Sequence, residues 1–187
     1  LIYITGGAKS GKSKFAEDLL LSLNNGERKN VYLATSIVFD EEMKTKVDLH
    51  KERRQDRWIT IESYKDFTES LKSVSQEDFK NNILVDCLTN MISNIIFENK
   101  EINWDKPTKE QMTKCDKMIE KQVEELIKIS NEFENMVIVS NELGMGIVPS
   151  YPLGRYFREI AGRMNQCIAK KSDEAYFVVS GIPMKIK

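Results

Sequence analysis

Apolar positions in this chain fall into short β-rich runs separated by stretches of helical spacing. The runs are "LIYIT" (1–5), "VYLAT" (31–35), "WITIE" (58–62), "NILVD" (82–86), "MVIVS" (136–140), "AYFVVS" (175–180) and a terminal "MKIK" (184–187). Several are continuously apolar, as parallel strands covered on both faces must be. Helices are predicted near 11–23, 40–54, 66–73, 88–98, 108–131 and 155–171. Alternation of this kind builds a doubly wound α/β sheet with helices on both faces. The turn "SGIP" (180–183) leaves no room for a crossover helix, so the last strand is expected to run antiparallel to its predecessor. The stretch 99–131 is the most heavily charged, and its apolar stripe (Met112, Cys115, Ile119, Val123, Leu126, Ile127) marks a long surface helix.

A length of 187 residues suits one domain spanning 1–187. The chain is 41% hydrophobic and 30% charged, which excludes the disordered and membrane-embedded classes. Its net charge of −1 gives no overall field to recruit nucleic acid, so any anion site must be local. Cys87, Cys115 and Cys167 are odd in number and far apart. They suggest neither a disulfide framework nor zinc spacing, and point to the reducing cytoplasm. No apolar run approaches the ~20 residues of a membrane span. The opening "LIYITGG" is a strand-like run meeting glycines at once, unlike a signal peptide.

Local anion chemistry appears at residues 6–13. "GGAKSGKS" fits G-x-x-x-x-G-K-[ST], with Gly6, Gly11, Lys12 and Ser13 at the fixed positions. Glycines let backbone N–H groups curl round phosphate oxygens, a lysine reaches the β/γ-phosphates, and a hydroxyl ligates Mg²⁺. A strand precedes this loop and an amphipathic helix follows, aiming its positive end at the same anion. A second element is expected, an acid at a strand end that holds Mg²⁺ through water; "ILVD" supplies Asp86. No N-K-x-D sequence is present to read guanine.

The sole histidine, His50, lies in the predicted helix 40–54, whose first turn is acidic (Asp40, Glu41, Glu42) and whose last is basic. Met43, Val47, His50 and Arg54 fall on one stripe. Two readings remain open on these residues alone. His50 can be a hydrogen-bonded residue of a helix interface. Alternatively, its neutral imidazole can attack an α-phosphate while Lys51, Arg53 and Arg54 stabilise the transferring group. The segment 140–166, "SNELGMGIVPSYPLGRYFREIAGRMNQ", has a strand end followed by Gly144, Gly146, Pro149, Pro152 and Gly154. Loops beyond the carboxyl ends of strands form the ligand crevice of such sheets. Arg155, Arg158 and Arg163 can pair with acids or bind phosphate.

In this order the pieces resemble the bifunctional adenosylcobinamide kinase / adenosylcobinamide-phosphate guanylyltransferase family of cobalamin (vitamin B12) synthesis, over essentially the whole chain. The matching stretches are "TGGAKSGKS", "YLATS" (32–36), "DEEMKTKVDLHKERR" (40–54), "WITIE", "LVDCLTNMISN" (84–94), "SNELGMGIVP" (140–149), "GRYFREIAGRMNQ" (154–166) and "VVSGIPMKIK". The resemblance implies phosphorylation of adenosylcobinamide by ATP or GTP, then transfer of GMP from GTP to the product through a guanylyl-histidine, giving adenosylcobinamide-GDP and pyrophosphate. It implies that His50, with Arg54, is the GMP acceptor. It also implies nucleotide contacts at Gly6, Gly7, Ala8, Lys9, Ser10, Gly11, Lys12 and Ser13, at Leu33, Ala34 and Thr35, at Lys51, Glu52, Arg53 and Arg54, and at Glu62 and Asp86. The implied fold is a RecA-like P-loop sheet of about seven strands with one antiparallel edge, assembled as a homotrimer. Gln55 stands where the family often has proline, which predicts a longer or frayed helix end. Two other readings keep the same phosphate loop: a single-activity small-molecule kinase with a structural His50, and a nucleotide-gated binding protein without turnover.

Overall fold

The computed structural model describes residues 1–24, 29–37, 57–73 and 82–187. The expected helix 40–54, with His50, Lys51, Glu52, Arg53 and Arg54, lies outside the described residues. Seven strands form one sheet: β1 (Ile2–Gly6), β2 (Asn30–Ala34), β3 (Trp58–Glu62), β4 (Asn82–Asp86), β5 (Asn135–Asn141), β6 (Glu174–Val179) and β7 (Ile182–Lys185). Their spatial order is β3-β2-β4-β5-β1-β6-β7. Every neighbouring pair is parallel except β6 and β7. The described helices are α1 (Lys12–Leu23), α2 (Phe67–Ser70), α3 (Leu88–Glu98), α4 (Lys109–Ile129) and α5 (Pro152–Lys171).

Alternation along each strand sorts its side chains between two layers. Val31, Leu33, Ile83, Val85, Met136 and Ile138 join the larger core, with apolar residues of α2, α3, α4 and α5. Ile4, Tyr32, Leu84, Val137 and Val139 point the other way, onto Ala16 and Leu20 of α1. The charged stretch earns its place through one face: Ile119, Val123 and Leu126 of α4 are buried, each contributing about 2 kcal/mol of apolar burial. Thr108 and Gln111 start that helix with a reciprocal capping box.

Beyond shifts of one or two residues at several ends, three elements differ from the sequence expectation. Helix α5 begins at Pro152 rather than at 155, because proline at the first helical position needs no N–H partner and already has a helical φ. The stretch 66–73 is one α-turn followed by a 3₁₀ turn, Leu71–Ser73. Strand β7 starts at Ile182, since Ser180 and Gly181 both take positive φ and close a two-residue hairpin.

The two ends of the parallel strands are finished differently. At the amino ends, asparagines bond one another: Asn24 donates to Asn30 (2.9 Å) and Asn135 to Asn82 (2.8 Å). At the carboxyl ends lie the phosphate-loop motif, Asp86 and the segment after β5.

Candidate functional site

The glycine-rich loop joins the carboxyl end of β1 to the amino end of α1, where the first turn leaves backbone N–H groups without helical partners. Gly6 closes β1 against a neighbouring strand. A Cβ there would stand 2.4 Å from the Val178 carbonyl oxygen and 2.7 Å from Ser10 Oγ. Gly11 caps α1 with φ of 93°, and a Cβ there would lie 3.0 Å from Gly181 Cα. Glycine is therefore required twice, once by close approach and once by backbone conformation. The β6–β7 turn supports the loop directly, for the Gly181 N–H donates to the Ser10 carbonyl at 2.8 Å.

Lys12 is buried, and its ammonium folds back to donate to the Gly7 carbonyl at 3.0 Å. Burial lowers its pKa, against the raising influence of Cys87 and Asp86. Ser10 Oγ is buried without a hydrogen-bond partner among the described residues. A buried, unsatisfied hydroxyl costs free energy unless something pairs with it, and a phosphate oxygen in the loop would do so. Ser13 follows on the first turn of α1, partly exposed.

The other expected residues line up on neighbouring strand ends. Ala34 is in register with Glu62 on one side and Asp86 on the other. Asp86 shares the α1 face with Leu84, as strand alternation requires. Tyr32 donates to Asp86 Oδ2 at 2.8 Å. Just beyond, Thr35 clamps the turn after β4: its N–H donates to the Asp86 carbonyl (3.1 Å), and its hydroxyl donates to the Cys87 carbonyl (2.7 Å) and accepts from the Cys87 N–H (2.8 Å). Leu33, by contrast, has its side chain in the large core, so only its backbone faces the crevice. A cleft of about 590 Å³ opens beyond β2 and β3, lined by Thr35, Ser36, Glu62, Ser63, Tyr64 and Asp66 among others. That volume suits a small molecule.

Strand β5 lies between Asp86 and the phosphate loop, so the glycine-proline segment rises between them. The Glu142 N–H donates to the Gly6 carbonyl at 3.0 Å. The three arginines resolve differently. Arg155 donates to the carbonyls of Pro149 (3.2 Å) and Ser150 (2.6 Å), and Arg158 to that of Gly144 (2.5 Å). Arg163 pairs with Asp116 (2.6 Å) and Glu120 (3.7 Å). Two of them thus hold the loop's backbone, while Met145, Ile147, Val148 and Tyr151 stay exposed. Sequence reading passed over the Tyr32–Asp86 bond and the Thr35–Cys87 clamp. Both cross between strands about 50 positions apart in the chain, and only the β2–β4 register reveals them.

A loop, an acid and a cleft at the carboxyl ends of one sheet can hold a nucleoside triphosphate. Comparison with known proteins specifies more. The family model described as cobinamide kinase / cobinamide phosphate guanyltransferase matches residues 2–186. The bifunctional adenosylcobalamin biosynthesis protein CobU of Salmonella typhimurium is 38% identical over 193 residues, covering 100% of this chain and 99% of that protein. Its namesake in Escherichia coli is 37% identical with the same coverage. The bifunctional adenosylcobalamin biosynthesis protein CobP of Pseudomonas aeruginosa is 32% identical, covering 98% of this chain and 95% of its own length. With full-length matches at this level, the chain belongs to the cobinamide kinase / cobinamide phosphate guanyltransferase family.

Proposed function

We propose that this chain is a two-step transferase of cobalamin synthesis. It phosphorylates adenosylcobinamide with ATP or GTP, then moves GMP from GTP onto the new phosphate, releasing pyrophosphate. The observation that carries this reading is the match to the kinase/guanyltransferase family from residue 2 to residue 186. The loop from Gly6 to Ser13 is assigned the triphosphate, with Lys12 leaving the Gly7 carbonyl for phosphate oxygens. Charge neutralisation and positioning do most of the work in such transfers. Ala34, Thr35, Glu62 and the backbone of Leu33 are assigned to the rest of the nucleotide; Thr35 and Glu62 line the cleft, and Ala34 stands in register with Glu62.

Mg²⁺ prefers phosphate oxygens and water with one or two protein ligands; Ser13 and Asp86 are assigned that duty. When bound, the ion neutralises charge on the phosphates. For the second step His50 is assigned as the GMP acceptor, with Lys51, Glu52, Arg53 and Arg54 beside the triphosphate. The family resemblance supports this, and the attack exchanges an α-phosphate–oxygen bond for a phosphorus–nitrogen bond.

The whole chain, 1–187, is read as one catalytic unit. It is assigned to the cytoplasm, acting on small-molecule corrinoid and nucleotides; separately, no described helix is long and apolar enough to cross a membrane. A homotrimer, as the family implies, is assigned for sedimentation to test. The activity itself is checked by incubating the protein with adenosylcobinamide, ATP, GTP and Mg²⁺ and identifying products by mass. Adenosylcobinamide phosphate followed by adenosylcobinamide-GDP is expected. Phosphate ester alone would favour a single-activity kinase, and unchanged corrinoid a binding protein.

A further inference from the structure

Tyr32 sits inside the matching stretch "YLATS" yet carries no assigned role. Strands β2 and β4 are parallel neighbours, with Tyr32 opposite Leu84 and Ala34 opposite Asp86. Tyr32 and Asp86 are therefore diagonal partners on the α1 face, a separation that an aromatic side chain can span. The phenol completes that reach and donates to Asp86 Oδ2. Its ring is 6% exposed and braced edge-on by Trp58 of β3, with centroids 6.1 Å apart and planes at 82°. Phenylalanine would fill the same space and meet Trp58 equally well. The hydroxyl is the one part of Tyr32 that packing does not require.

We propose that Tyr32 is a positioning residue for the acid of the nucleotide site. One carboxylate oxygen of Asp86 is engaged by the phenol, which fixes the carboxylate's plane and leaves Oδ1 for a metal-bound water beside the phosphate loop. A carboxylate has lone-pair sites enough for both partners. Residues that orient a metal's ligands govern metal affinity although they never touch the ion. The brace from Trp58 through Tyr32 to Asp86 runs across three adjacent strands, so the acid is held by the sheet rather than by a loop. This inference rests on the reading that Asp86 serves Mg²⁺.

The test uses the full chain with a non-hydrolysable GTP analogue and Mn²⁺ as the probe, free Mn²⁺ being counted by electron paramagnetic resonance. Wild type, Tyr32→Phe and Asp86→Asn are compared, each with its metal-free nucleotide affinity measured in EDTA. Tyr32→Phe is expected to weaken Mn²⁺ binding about ten-fold while leaving the metal-free nucleotide affinity unchanged. In turnover, the Mg²⁺ concentration for half-maximal rate should rise with kcat largely restored at saturation. If Tyr32→Phe binds Mn²⁺ like wild type while Asp86→Asn does not, the positioning role is overturned and the metal reading stands. If Asp86→Asn also binds like wild type, both fall. Loss of metal-free nucleotide affinity in Tyr32→Phe would make the tyrosine a packing residue and overturn the role as well.

Discussion

Lys12 and Cys87 are neighbours in charge but opposite in consequence. Burial destabilises the Lys12 ammonium, and the Gly7 carbonyl is a neutral partner for it. A triphosphate offers a charged partner in the same place, so binding gains more from this lysine than it would from one already in water. Lys12→Met should reduce kcat/KM for both transfers about a hundred-fold, measured by product formation; retention of either activity would remove the loop from that step. Cys87 is 4% exposed, and burial pushes its thiol from 9.0 up to about 11. The fold therefore keeps its proton where the unfolded chain loses it. Stability is complete below pH 9 and falls as pH climbs from 9 towards 11, because the unfolded state then binds fewer protons. Cys87→Ala should flatten that alkaline limb of the Tm–pH profile. In native protein at pH 8, alkylation read by mass spectrometry should reach half-buried Cys167 before Cys87 or Cys115.

At the scale of elements, the phosphate loop is shaped by what stands behind it. The Ser180–Gly181 turn meets Gly11 and bonds to Ser10, and β6 presents the Val178 carbonyl to Gly6. Gly6→Ala would drive a methyl into backbone, which cannot swing aside as a flexible side chain does. A loss of about 1–3 kcal/mol in stability is expected from such overpacking, together with weakened nucleotide binding by calorimetry. Thr108→Ala, which touches neither the phosphate loop nor the lining of the cleft, should cost about 1 kcal/mol through the lost cap of α4 and leave nucleotide affinity unchanged. Such elements differ in how far the chain alone reveals them. The phosphate loop is local and was legible, as were the existence of all seven strands and the antiparallel end, the start of β7 excepted. The start of α5 was not, because Pro152 and Gly154 read as loop residues until the helix shows that Pro152 begins it. The roles of Arg155 and Arg158 were equally hidden, since their partners are backbone carbonyls that carry no residue signature.

For the whole molecule, strand order explains how separate motifs come to face the same side. Phosphate loop, Asp86 and Glu62 stand at the carboxyl ends of β1, β4 and β3, spread over 80 positions yet all on that side of one sheet. Parallel pairing puts every carboxyl end on the same side, and the glycine-proline segment emerges among them. His50 lies outside the described residues, so its assigned part rests on sequence and family. The most direct measurement is incubation with α-labelled GTP and Mg²⁺. A protein-bound label, stable to alkali and lost in acid, should form on the wild-type chain, pass to adenosylcobinamide phosphate when that acceptor is added, and be absent from His50→Ala. An equal label on His50→Ala, or none on the wild type while adenosylcobinamide-GDP still forms, would contradict the guanylyl-histidine route.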